Sequence, residues 1–133
     1  MRTCYLDASA LVKLATPEAE TDALRTELGT YDARVTSRLA TVEVARALRR
    51  RGAASAGLGD AVAEAFTGLG IVELDEAIAE SAGRIDPPTL RSLDAIHLAS
   101  ALALGSELGA VVTYDTRLAD AARAAGLEVI APA

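Results

Sequence analysis

Short apolar segments alternate with helical patterns along the whole chain, and this alternation is the feature that most restricts the fold. Five segments have the length and composition of strands: residues 3–7, 34–37, 71–74, 110–114 and 127–130. The intervening patterns predict helices over residues 10–15, 18–28, 39–51, 59–67, 76–84, 92–105 and 116–125. Strands that alternate with helices form parallel sheets covered on both faces, so the sequence predicts an α/β fold.

The organisation of the chain favours one unit in a reducing compartment. No linker, repeat or low-complexity run divides the 133 residues, which predicts a single domain over 1–133. Cys4 is the only cysteine, so an internal disulfide is excluded. Asp7 and Lys13 interrupt the first apolar run, which speaks against a signal segment or a membrane-spanning helix there. We therefore expect a cytoplasmic protein without a membrane partner.

Four acidic residues are candidates for a binding site, two at strand ends and two in helices. Asp7 and Asp115 follow the first and fourth predicted strands, and ligands of parallel sheets bind outside these carboxyl ends. Each also has a purely structural explanation, because aspartate caps turns and helices. Glu43 and Asp94 lie in apolar helices, where a carboxylate without a partner is costly. A functional role is favoured for Asp94, whereas for Glu43 an exposed pair with Arg46 explains the residue equally well.

The charge of the chain bears on what these acids could do. A formal net charge of −6 opposes non-specific attraction to nucleic acid, unless bound cations neutralise some of the acids. Clustered carboxylates repel one another and therefore require cations or raised pKa values. Oxygen ligands suit Mg²⁺ or Mn²⁺, and no cysteine pair or second histidine exists to build a zinc site. Such a metal can activate water for attack on phosphate.

Four segments together resemble one known family. These are LDASALVKL around Asp7, TSRLATVEVARALRR around Glu43, LRSLDAIHLASAL around Asp94 and VVTYDTRLADAARAAGL around Asp115. Their order and spacing along the whole chain resemble the PIN-domain family, and specifically the VapC-type toxins of bacterial type II toxin–antitoxin pairs. Each segment alone is a weak signal, but the combination is specific.

The resemblance implies a fold, an activity and partners. The fold is a five-stranded parallel sheet between helical layers, and the activity is an endoribonuclease that uses one or two Mg²⁺ or Mn²⁺ ions. Metal-activated water attacks the RNA phosphodiester and leaves a 5′-phosphate. The family usually dimerises, and a VapB-like antitoxin blocks the site. The implied metal ligands are Asp7, Glu43 and Asp94, with Asp115 as a more variable fourth, and Ser9 and Thr113 support the site.

Two other classes of protein share some of these features. A phospho-acceptor signalling domain also places acids at strand ends, but it needs a second acid beside the first and a lysine near the last strand. Here Ala8 follows Asp7, and the only lysine is Lys13. A non-catalytic module could use the acids to bind a basic partner.

Two further polar residues are not assigned to the site. His97 is predicted to be a structural histidine with satisfied hydrogen bonds, and Asp120 is predicted to lie on the surface.

Overall fold

The structure is a computed structural model that describes residues 2–133, in which strands and helices alternate as predicted. The strands are β1 (Thr3–Leu6), β2 (Ala33–Ser37), β3 (Gly70–Val72), β4 (Leu108–Val112) and β5 (Val129–Ile130). The helices are α1 (Ala8–Ala15), α2 (Thr21–Leu28), α3 (Leu39–Arg50), α4 (Leu58–Ala65), α5 (Glu76–Gly83), α6 (Ser92–Leu102) and α7 (Thr116–Ala124). A 3-10 turn, Gly105–Glu107, precedes β4.

The strands form one parallel sheet in the order β3-β2-β1-β4-β5. β1 is the central strand and pairs with β2 on one side and with β4 on the other. Its four residues are all buried, as expected for a strand covered on both faces. Because β1 and β4 are parallel neighbours, the residues that follow them lie at the same edge of the sheet. The prediction of a five-stranded parallel α/β fold is confirmed.

Side chains of β1 point alternately into two apolar layers. Cys4 and Leu6 belong to a cluster that includes buried residues of α1, α2 and α3. Tyr5 lies on the opposite face, in a cluster with Leu98 of α6 and Leu118 of α7. The two layers make this an α/β/α sandwich, with α3 and α6 on opposite faces of the sheet. None of the helices within residues 2–133 is long and apolar enough to cross a bilayer.

Some predicted boundaries are wrong by a few residues. The second helix begins at Thr21 rather than at residue 18. The Thr21 hydroxyl accepts a hydrogen bond from the Glu18 backbone N–H and donates one to the Lys13 carbonyl, which holds residues 18–20 in a loop. β3 ends at Val72, and Leu74 lies beyond it, exposed.

Candidate metal centre

The four predicted acids line one cavity at the carboxyl edge of the sheet. Asp7 follows β1 and Asp115 follows the end of β4 by three residues, while Glu43 comes from α3 and Asp94 from the first turn of α6. The cavity has a volume of about 310 Å³. Its lining residues are Asp7, Ala8, Ser9, Glu43, Arg91, Ser92, Leu93, Asp94, His97 and Asp115. The fold thus brings together acids from four separate segments of the chain.

Asp7 is the most buried of the four acids and also the one with the most hydrogen bonds. Its Oδ1 accepts bonds from the Ser9 hydroxyl at 2.7 Å and from the Ala10 backbone N–H at 3.1 Å, and its Oδ2 accepts one from the Thr113 hydroxyl at 2.6 Å. Burial raises the pKa of the Asp7 carboxyl above its usual range, although the bonds from Thr113 and Ser9 oppose this. Asp7 is therefore a carboxylate held in one orientation at an energetic cost.

Ser9 and Thr113 join the first and fourth acidic segments. The Ser9 hydroxyl accepts a bond from the Tyr114 backbone N–H at 2.9 Å, and the Thr113 hydroxyl accepts one from the Asp115 backbone N–H at 3.0 Å. Both hydroxyls also donate to Asp7. These contacts fix the chain after β4 relative to the chain after β1. Both hydroxyls thus hold the Asp7 carboxylate in place, and their support of a functional site stays a prediction.

Two of the acids cap helices. Ser9 has the residue type of an N-cap for the helix that follows β1, but it lies inside α1, and Asp7 is the N-cap residue. Asp115 caps α7, where its Oδ1 accepts bonds from the Arg117 and Leu118 backbone N–H groups. The structural explanation of both aspartates is thus correct. It is also compatible with a site, because each cap uses only Oδ1 of its carboxylate.

Arg91 bridges two of the acids, and sequence reasoning missed it. Its Nε lies 3.2 Å from Oδ2 of Asp94, and a terminal nitrogen lies 3.4 Å from Oδ2 of Asp115. Asp94 is nearly buried, whereas the Arg91 side chain is 59% exposed. The i,i+3 spacing of Arg91 and Asp94 was a visible signal. The link to Asp115 was not, because it depends on the tertiary fold.

Glu43 is paired with His97 and not with Arg46. Oε1 of Glu43 lies 2.6 Å from Nε2 of His97, whose Nδ1 lies 2.7 Å from the Tyr5 hydroxyl. His97 is 2% exposed, so both ring nitrogens are satisfied in a buried setting, as predicted for a structural histidine. Tyr5 is a second contributor that sequence reasoning missed. Its position in the central strand, two residues before Asp7, indicated only a core residue.

The remaining candidate lies apart from the acids. The Asp120 side chain is 81% exposed and pairs with Arg123 at 3.8 Å, so its predicted surface position is confirmed. It does not line the acidic cavity. Asp120 therefore provides a matched control for substitutions of the cavity acids.

The four acids lie too far apart to form a complete set of ligands around one metal ion. Within residues 2–133, no three His, Cys, Asp or Glu side chains stand close enough to form such a set. Each acid is instead bound to other side chains, and Asp94 and Asp115 share Arg91. Carboxylates that repel one another are expected to take such partners. The residues nevertheless fit a divalent cation. The available ligand atoms are carboxylate oxygens, which Mg²⁺ and Mn²⁺ prefer. Two of the acids, Asp94 and Asp115, already share one cationic group, the guanidinium of Arg91.

We expect Arg91→Gln to tighten binding of Mn²⁺. A cation bound in the cavity would have to displace Arg91 from Asp94 and Asp115, and exposed ion pairs contribute about 0.2 to 1 kcal/mol each. Loss of both pairs should therefore lower the Kd for Mn²⁺, measured by titration calorimetry, about 2- to 30-fold. Arg123→Gln is the control, because Arg123 pairs with the exposed Asp120, away from the acidic cavity. Weaker Mn²⁺ binding by Arg91→Gln would show that Arg91 supports the site rather than competes for it.

Fold and site together define a class of protein: an α/β/α sandwich with carboxylates collected at the carboxyl edge of a parallel sheet. The chain belongs to the PIN-domain family, because a sequence model of the family described as PIN domain matches residues 4–124. This confirms the family resemblance of the four acidic segments. The match includes all four acids.

Relatives with known names agree with this assignment. The chain is 47% identical over 132 residues to Ribonuclease VapC46 of Mycobacterium tuberculosis, covering 99% of each chain. It is 46% identical over 136 residues to Ribonuclease VapC35 of the same species, covering 96% of each. The resemblance to the VapC-type group within the family is thus confirmed as well.

Solved structures show the same fold at low sequence identity. Mycobacterium tuberculosis VapC20, described as a sarcin-ricin loop cleaving toxin, matches with a TM-score of 0.73 at 19% identity and covers 97% of this chain and 99% of that one. VapBC2 from Rickettsia felis, solved with a DNA fragment from its promoter, matches with a TM-score of 0.75 at 11% identity, covering 98% and 99%. At these identities the likeness concerns the fold alone.

Proposed function

We propose that this protein is a Mg²⁺- or Mn²⁺-dependent endoribonuclease and the toxin of a type II toxin–antitoxin pair. The observation that carries the proposal is the meeting of Asp7, Glu43, Asp94 and Asp115 around one cavity. The names of the relatives, which are VapC ribonucleases over nearly the whole chain, support it. An RNA phosphodiester is the proposed substrate.

The proposed division of labour follows from the contacts of each residue. Asp7, Glu43, Asp94 and Asp115 would hold the metal, and Ser9 and Thr113 orient Asp7. When bound, the ion supplies a Lewis acid for the phosphate and lowers the pKa of water so that it can attack in line. Two divalent ions would also reduce the formal net charge of the chain from −6 to −2. This would weaken the repulsion between an acidic protein and RNA.

The proposal includes the partners that accompany this activity in the family. We propose a cognate VapB-like antitoxin, and the structural neighbours include a toxin–antitoxin complex from Klebsiella pneumoniae, with a TM-score of 0.66 at 20% identity. A homodimer and a cytoplasmic location stay predictions, as does the single domain over residues 1–133.

The phospho-acceptor alternative finds no support at the site. Lys13 lies 3.1 Å from both Glu18 and Glu20 and does not line the acidic cavity. The acids are therefore without the lysine that such a domain requires.

Removal and return of the metal tests the proposed function. We expect purified protein to cut total bacterial RNA into fragments with 5′-phosphate ends in the presence of Mn²⁺ or Mg²⁺. EDTA should stop the reaction and excess Mn²⁺ should restore it, because the acids act through the ion. Cleavage that continues unchanged in EDTA would contradict the proposal. An acidic interaction module would instead show neither cleavage nor saturable uptake of Mn²⁺ in calorimetry.

A further inference from the structure

A buried chain of hydrogen bonds runs from the centre of the sheet to one acid of the site. Tyr5 is fully buried, and its hydroxyl lies 2.7 Å from Nδ1 of His97. Nε2 of His97 lies 2.6 Å from Oε1 of Glu43. The rings of Tyr5 and His97 also pack edge to face, with centroids 5.9 Å apart. The imidazole is therefore fixed in both position and rotation.

The chemistry of the end groups sets the direction of these bonds. An ionised Glu43 carboxylate can only accept, so the proton of the short contact belongs to Nε2 of His97. On a neutral imidazole Nδ1 then accepts, and the Tyr5 hydroxyl is its donor. A tyrosine hydroxyl carries its proton at neutral pH and can therefore donate it to Nδ1. Tyr5 thereby selects the tautomer that presents an N–H to Glu43.

Glu43 needs such support more than the other acids do. Asp7 is held by Ser9 and Thr113, and Asp115 accepts two backbone N–H bonds. Glu43 has a longer side chain, and among residues 2–133 His97 is its one hydrogen-bond partner. Because α3 and α6 pack on opposite faces of the sheet, this bond joins the two helical layers at the site. Without it the carboxylate would be free to rotate away.

We propose that His97, oriented by Tyr5, is a positioning residue that fixes the Glu43 carboxylate for metal binding. It holds Oε1 and leaves Oε2 available to a cation. The inference rests on the proposed function, since it presumes that Glu43 is a metal ligand. It assigns His97 no contact with RNA and no proton transfer to substrate.

Mn²⁺ titration of three variants at His97 tests the inference. His97→Leu keeps the apolar volume but removes the donor, and we expect a Kd for Mn²⁺ about 10-fold higher or more, the usual cost of losing an outer-shell partner. His97→Gln can place its amide N–H near the position of Nε2, so it should recover most of the affinity. His97→Asn is too short to reach Glu43 and should resemble His97→Leu. For RNA cleavage, kcat should follow the same order while KM stays constant, because His97 does not contact the substrate.

A comparison in the Glu43→Gln background separates positioning from simple support of the fold. If His97 acts through Glu43, then His97→Leu should have no further effect on Mn²⁺ binding once Glu43 is replaced. Thermal unfolding in EDTA identifies variants that fail to fold. If His97→Leu is one of them, the Mn²⁺ affinities of His97→Gln and His97→Asn are compared instead. Wild-type affinity in His97→Leu or in His97→Asn would overturn the inference, as would an undiminished effect in the Glu43→Gln background. Wild-type protein that takes up no Mn²⁺ would instead overturn the proposed function itself.

Discussion

Asp94→Asn is expected to lower the rate of RNA cleavage by at least about 100-fold, the upper end of what loss of an outer-shell partner costs a metal site. Asp94 lies nearly buried in the cavity, and its carboxylate is one of the two that Arg91 bridges. An amide has almost the same shape but no charge, so the fold is kept while the attraction for a cation is lost. The measurement is the initial rate of cleavage with saturating Mn²⁺, together with the Mn²⁺ Kd from calorimetry.

Asp120→Asn is the matched control for this experiment. It makes the same chemical change on α7, at a side chain that is 81% exposed and does not line the acidic cavity. We expect its cleavage rate to equal that of the wild type within a factor of about two, since isolated surface pairs contribute little. An Asp94→Asn variant that cleaves RNA at the control rate would remove Asp94 from the site. Equal loss in both variants would point to a general effect of charge on RNA binding.

The sequence contained the strand and helix order because each element carries its own apolar pattern. β1 and β4 were recognisable from their apolar residues and form a central parallel pair, in which β1 is buried throughout and β4 over its last three residues. Helix starts were less well predicted. Residues 18–20 fit a helix by composition, but the Thr21 hydroxyl and the Lys13 carbonyl hold them in a loop. Such a contact depends on the position of another segment, which no local pattern contains.

The acids of the site could be predicted, whereas their partners could not. Asp7 and Ser9 are both good N-cap residues, and the choice between them depends on where pairing of β1 with β4 ends. The Asp7 backbone N–H still donates to the Val112 carbonyl at 3.3 Å, so α1 starts directly after Asp7. Arg91 and Tyr5 were invisible for a similar reason. Each acquires its role from a residue at least 24 positions away in the chain.

Asp7→Asn is expected to make the metal-free protein more stable at neutral pH, and Mn²⁺ is expected to reverse this difference. Burial raises the pKa of Asp7 in the folded protein above the ordinary value of 3.8, so ionisation of this group costs folding free energy. At a pH below 3.8 the Asp7 carboxyl is mostly neutral in both the folded and the unfolded chain, and this cost vanishes. As the pH rises toward the folded-state pKa, the unfolded chain gives up the proton first, and the metal-free wild type loses stability relative to Asp7→Asn. One group changes the free energy of unfolding by at most about 1.4 kcal/mol per pH unit.

Unfolding by urea at pH 3 and pH 7, in EDTA, measures this difference for the wild type and Asp7→Asn. We expect the two proteins to be closer in stability at pH 3 and the variant to be the more stable at pH 7. The asparagine side chain can still accept bonds from Ser9 and Ala10 through its carbonyl oxygen, so the cap of α1 is kept. Mn²⁺ should reverse the order at pH 7, since a ligand that binds only the folded wild type stabilises it by mass action. A variant less stable than the wild type at pH 7 in EDTA would mean that the bonds from Ser9 and Thr113 outweigh the cost of burying the charge. In that case the charged Asp7 side chain would stabilise the fold, and only the response to Mn²⁺ would support its role as a metal ligand.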